Sequence, residues 1–151
     1  MALSDSLKKE YCFYPVKGDN KKEVLEDLVT KFAERAGLDT DKKDEILSAV
    51  MKREALFSTG LEEGVAIPHA KLKSLEHTVA AVGVGEKEID YGSADGKPTN
   101  VYFLVLGSEA NPSDHVAVLS QIARLATSSA TLRLIKTSRS ETELQDVFFD
   151  I

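Results

Sequence analysis

The sequence predicts an α/β fold: a single-domain sandwich with a mixed, mostly parallel central sheet and helices on both faces. Three observations predict it. Segments with helical apolar spacing alternate with short apolar runs of strand type, the pattern of helices layered on one sheet. The clearest run, "NVYFLVLG" (100–107), is apolar almost throughout, as expected of a strand covered on both faces. The 151 residues suffice for one domain with its own core, and no repeat, low-complexity tract or long linker divides them. The domain is therefore expected over 1–151, with the strand order left open.

"YCFYPV" (11–16) is aromatic-rich and reads as a short strand or a packed N-terminal arm. From Lys21 to Ala36, Val24, Leu25, Leu28, Val29, Phe32 and Ala36 keep helical spacing, and Gly37 is the stop. A second helix opens at Asp39, Thr40 and Asp41, favoured at a helix start, and ends near Glu54 to Phe57. Its apolar face is Ile46, Leu47, Val50 and Met51. "VAI" (65–67) and "TVAAVGVG" (78–85) read as strands, and "DYGSADGKP" before the 100–107 strand is a loop turning at Asp95-Gly96. Asn111 as N-cap and Pro112 at the first helical position open a helix with the face Val116, Leu119, Ile122, Ala123, Ala126. Ser140 with Glu143 forms a capping box before a last helix containing Leu144, Val147 and Phe148.

Hydrophobic residues make up 42% and charged residues 29%, the balance of a globular protein. The formal net charge of -6 gives a nucleic-acid role no support and suits docking onto basic proteins. Cys12 is the only cysteine, so no intrachain disulfide can form and a reducing compartment is expected. "MALSDSLKKE" lacks the charged leader and apolar run of a signal peptide, and no apolar stretch approaches bilayer length. The expectation is a cytoplasmic protein with no direct membrane insertion.

The three histidines, His69, His77 and His115, form no HxH or HxxxH pair, and there is no CxxC, so no metal site is expected. GxSxG is absent, and "GVG" (83–85) lacks the third glycine of a dinucleotide fingerprint; small residues there allow close packing or strand bending. His69 stands apart. In "GVAIPHAK" (64–71) it follows a proline that ends an apolar run, on backbone that Pro68 stiffens. An ordinary histidine at a strand end is half exposed and donates to a backbone carbonyl. Upstream, however, "KREALFSTGLEEG" (52–64) gathers cations, two hydroxyls and glycines. A phosphoryl group asks for such a set: positive charge, hydroxyl and N–H donors, and closely approaching backbone.

"REALFSTGLEEGVAIPHA" (53–70) resembles the active-site segment of the EIIA components of the bacterial sugar phosphotransferase system, fructose/mannitol type, which include the nitrogen-regulatory EIIA proteins. "GEKEIDYGSADGKPTNVYFLVLGSE" (85–109) and "DHVAVLSQIARL" (114–125) extend the resemblance, which covers about Lys21 to the C-terminus. It implies that His69 is the phosphorylated nucleophile, His115 the second active-site histidine and Arg53 the conserved arginine. Ser58 and Thr59 match the hydroxyl-bearing turn inferred to contact phosphate. Glu62 departs from the family, which often has glycine there, and is expected to face solvent or a partner.

The resemblance further implies a phosphotransferase with no cofactor and no metal. His69 would attack the phosphoryl group of phospho-HPr, or of its nitrogen-branch counterpart, through Nε2. Arg53 would neutralise charge and His115 would donate a hydrogen bond. The phosphoryl group would pass to a cysteine of an EIIB domain, or the phosphorylation state would control binding to a regulatory target protein. The chain ends without an EIIB, HPr or membrane domain, which favours the nitrogen-regulatory role over a transport-linked fructose/mannitol EIIA. A non-catalytic binding module of the same fold would be marked by a lost nucleophile, and His69 is intact. Lys71, Lys73 and His77 read as solvated residues.

Overall fold

The computed structural model describes residues 6–149; residues 1–5 and 150–151 of the expected domain, including the first half of "MALSDSLKKE", lie outside the described residues. Among the described residues, five strands and five helices follow in order: β1 (Leu7–Val16), α1 (Lys21–Ala36), α2 (Thr40–Leu56), β2 (Val65–Ala66), β3 (His69–Leu72), β4 (Val79–Ile89), β5 (Thr99–Ser108), α3 (Pro112–Leu125), α4 (Ser129–Lys136) and α5 (Glu141–Phe149). One mixed sheet runs β1-β4-β5-β2, with β3 also on β5. β1 lies parallel to β4, β4 antiparallel to β5, and β2 and β3 parallel to β5. Among the described residues no helix is long and apolar enough to cross a membrane.

Strand β5 shows why the sheet needs two helical layers. Its alternate side chains Tyr102, Leu104 and Leu106 join one apolar cluster, with Val24, Leu25, Leu28, Phe32, Ile46 and Val50 of α1 and α2. The intervening Val101, Phe103 and Val105 join a second, with Val118, Ile122, Leu132, Ile135 and Leu144 of α3 to α5. Period-two alternation places successive residues on opposite faces, so a strand apolar throughout feeds two cores. Each fully buried side chain of this kind contributes roughly 1.5–3 kcal/mol.

The first two helices follow the sequence reading. Gly37 closes α1 in the left-handed region (φ 71), and Asp39 caps α2 by accepting from the Lys42 N–H at 2.8 Å. Elsewhere the structure differs. "YCFYPV" is the end of a ten-residue strand, not a short strand or an arm. Asn111 precedes α3 but makes no side-chain cap; its amide donates to the Glu76 carbonyl at 3.0 Å. The buried stripe of α3 is His115, Val118 and Ile122, whereas Val116 is 57% exposed and Ala123 also faces out. His115 occupies a core position, and apolarity alone assigned that face to its neighbour. Helix α4 is short and hydroxyl-rich at its start, and the sequence reading passed over it. In α5, Ser140 accepts from the Glu143 N–H at 3.1 Å, while the Glu143 carboxylate bonds the N–H of Arg139 and not that of Ser140.

Candidate functional site

Pro68 interrupts a strand and does not end one. Val65 pairs with Val101 and His69 with Val105, so β2 and β3 hold the same offset against β5 and form one strand with a break. A proline has no N–H for the ladder, yet its carbonyl still accepts from Val105 N–H at 3.0 Å. On the outer side of β2, Leu61 N–H donates to Val65 O (2.7 Å) and Ile67 N–H to Thr59 O (3.0 Å). The segment 59–61 is thereby laid alongside the break.

His69 opens β3 and is partly exposed. Its Nδ1 lies 2.7 Å from the carbonyl oxygen of Ile67. A carbonyl only accepts, so Nδ1 carries the hydrogen and Nε2 of the neutral ring carries the lone pair. Burial lowers the tendency of His69 to protonate; the Ile67 bond and Glu54 oppose this, and the positive charge of Arg53 adds to it. The ring is thus kept in its neutral form.

His115 stands in the first turns of α3, with its ring centroid 5.6 Å from that of His69 and the planes tilted by 50°. It is 3% exposed, and burial, then the charges of His69 and Lys71, push its pKa down to about 4. Its Nδ1 is buried without a hydrogen-bond partner. The ring lies against Gly107 of β5: a Cβ there would sit 2.0 Å from Nδ1 and 2.5 Å from Cγ. Only a glycine at the end of β5 admits the second histidine.

Arg53, on the last turns of α2, is partly exposed and donates through Nη1 to the Phe57 carbonyl at 2.9 Å. Its charge bears on His69, so the arginine stands near the pair of histidines. Ser58 is exposed; its Oγ accepts from Gly60 N–H at 3.1 Å. Thr59 is turned inward. It is 6% exposed, and its hydroxyl donates to Glu54 at 2.5 Å and lies 3.0 Å from the Tyr91 hydroxyl. Glu62 is exposed, as expected. Lys71 is exposed as read, yet its charge reaches His115, and His77 is exposed.

The sequence reading missed Glu54. This buried carboxylate accepts from Thr59 N–H (2.7 Å), Thr59 Oγ (2.5 Å), the Tyr91 hydroxyl (2.8 Å) and Lys21 Nζ (3.0 Å). Burial raises its pKa, but those bonds together hold it below the ordinary value. The signal was present in the chain: Glu54 continues the Ile46, Val50 stripe at the same helical spacing, so it had to point inward.

The family model described as "Phosphoenolpyruvate-dependent sugar phosphotransferase system, EIIA 2" matches residues 5–150. A "Nitrogen regulatory protein" of Bradyrhizobium diazoefficiens is 33% identical over 147 residues, which is 97% of this chain and 94% of that protein. Among solved structures, the nitrogen regulatory protein IIA-Ntr of Neisseria meningitidis superposes with a TM-score of 0.83 at 24% identity, covering 95% of this chain and 96% of that one. Enzyme IIAMTL of Escherichia coli, solved in complex with phosphorylated enzyme IIBMTL, gives 0.73 at 16% identity, over 93% and 96% of the two chains. These structural likenesses bear on the fold.

Proposed function

The chain belongs to the EIIA 2 family of the phosphoenolpyruvate-dependent sugar phosphotransferase system, and from that premise we propose that it carries a phosphoryl group on Nε2 of His69. The observation that carries this reading is the 2.7 Å bond from His69 Nδ1 to Ile67 O, which leaves Nε2 as the lone-pair nitrogen. The donor is a phosphohistidine carrier, HPr or its nitrogen-branch counterpart. As the Nε2–P bond forms, the P–N bond to the donor ring breaks and its electron pair returns to the donor nitrogen. Each ring keeps the proton on its other nitrogen, so Nδ1–H of His69 stays on Ile67 O throughout.

Phosphoryl transfer needs positioning and cancellation of oxygen charge. Arg53, permanently cationic and forked, supplies the charge by turning from the Phe57 carbonyl towards the phosphoryl oxygens. His115 donates a hydrogen bond from a ring held against Gly107. The exposed Ser58 hydroxyl supplies a further donor by turning from the Tyr91 carbonyl, to which it donates at 3.4 Å. Thr59, whose hydroxyl is taken by Glu54, serves by holding the turn. The phosphoryl group then passes to an EIIB cysteine, or its presence sets the affinity for a regulatory target protein. The near full-length match to a nitrogen regulatory protein favours regulation. The family's description as part of a sugar phosphotransferase system keeps the transport-linked role as the second reading.

The test is incubation with phosphoenolpyruvate, Enzyme I and HPr, read by intact mass. One acid-labile phosphate is expected on the wild type and none on His69→Ala. No label on the wild type, with a control EIIA labelled in the same tube, would sink the carrier role and leave a binding module.

A further inference from the structure

A carboxylate buried where an apolar side chain would complete the stripe of α2 is costly unless every lone pair is met, and replacing such a group with a hydrocarbon is often neutral. Glu54 has four hydrogen-bond contacts from three residues on separate segments: Lys21 at the start of α1, Thr59 before β2, and Tyr91 after β4. Two of the four come from Thr59 alone, through its N–H and its hydroxyl. That pair fixes the N–H and the side chain of Thr59, and across its Cα the next bonds lead to the nucleophile. The Thr59 carbonyl accepts from Ile67 N–H at 3.0 Å, and the Ile67 carbonyl accepts from His69 Nδ1 at 2.7 Å.

We propose that Glu54 is a positioning residue for His69, acting through the hydrogen-bonded series Glu54, Thr59, Ile67, His69 Nδ1. The series crosses the Cα of Thr59 and of Ile67, so Glu54 acts by holding the backbone of both residues in place, and with it the Ile67 carbonyl that accepts from the ring. That last bond selects the tautomer and aims the ring. Pro68, between Ile67 and His69, limits how far the backbone can swing and so keeps the series in line. The negative charge of Glu54 also opposes the Arg53 charge at the imidazole, which keeps Nε2 basic beside a permanent cation. This rests on the carrier role of His69, although the tautomer can be read without any phosphate.

The experiment is two-bond 1H–15N correlation of the histidine rings in the unphosphorylated protein. The wild type is expected to show His69 almost wholly with its proton on Nδ1. In Glu54→Gln, which keeps the shape but not the charge, the Nε2–H form should become visible. Phosphoryl uptake by the same variant should slow by roughly 10–100-fold, as for other lost partners behind a reacting group. Thr59→Val, which removes the hydroxyl and leaves the N–H, should shift the tautomer the same way by less and serves if Glu54→Gln does not fold. Lys21→Met leaves both Thr59 bonds in place and should lower stability with the tautomer unmoved. An unchanged His69 tautomer in both Glu54→Gln and Thr59→Val would overturn the proposal. So would an equal shift in Lys21→Met, which would mean general loosening. Failure of the carrier role would show instead as an unlabelled wild type.

Discussion

At the scale of single residues, the site depends on close approach as much as on reactive groups. A Cβ on Gly107 would stand 2.0 Å from Nδ1, 2.5 Å from Cγ and 2.8 Å from Cβ of His115, whose ring lies against β5. Gly107→Ala must therefore push His115 off its position, at a cost of about 1–3 kcal/mol for overpacking. We expect a lower urea midpoint, together with phosphoryl uptake slowed by roughly tenfold or more if one donor to the phosphoryl group is lost. Uptake at the wild-type rate in a destabilised protein would show that the His115 ring need not sit where it does. By contrast, Cys12 is fully buried and its thiol is pushed up to about 12, first by burial and then by Glu141, so it is packing and not a nucleophile.

At the scale of elements, α2 carries two roles at opposite ends. Its first turn is fastened by Asp39, whose carboxylate accepts from Lys42 N–H. Its last turns present Arg53 outward and Glu54 inward. Asp39→Ala should cost about 1 kcal/mol of unfolding free energy, the ordinary worth of an N-cap. Because the cap lies a whole helix away from His69, labelling in the phosphoenolpyruvate assay should keep its rate; a slowed rate would mean that the helix transmits strain to Arg53. The interrupted strand β2/β3 has the opposite character. Only the continuing pairing of β5 with Pro68 O and His69 makes one strand of its two short pieces.

At the scale of the whole molecule, the sheet and its helical cover hold two neighbouring histidines that resist protonation. Burial is the leading cause for both, and His115 titrates only at about 4. An unfolded imidazole titrates near 6.5. As pH falls below about 6.5 the unfolded chain takes up protons that the fold refuses, so stability is full above that pH and declines towards pH 4. Glu54, held below its ordinary carboxylate value, adds its own loss once the pH falls below about 4.5, where the unfolded carboxylate begins to take up its proton. Thermal melting between pH 7.5 and 5.0 should show a falling midpoint, and His115→Asn should flatten that fall. An equally steep fall in the variant would place the sensitive group elsewhere.

Much was legible along the chain because it rests on local chemistry. Apolar spacing, the Asp39 cap and the Gly37 stop set α1 and α2 to within a residue or so. The run at 100–107 announced a strand covered on both faces, and hence two helical layers. His69 was legible as a candidate from its place behind Pro68 and the cations, hydroxyls and glycines upstream, and Arg53, Ser58, Thr59 and His115 became candidates through the family resemblance. Other features needed neighbours that are distant in sequence. The strand break at Pro68 exists only because β5 pairs on both sides of it. His115 lies in the core only because Gly107 makes room for its ring. Thr59 turns inward because Glu54, Tyr91 and Lys21, from separate segments, meet there as one buried charge cluster. Hydrogen bonds within a turn are written in short stretches of sequence, whereas burial and charge pairing depend on which surfaces the fold brings together.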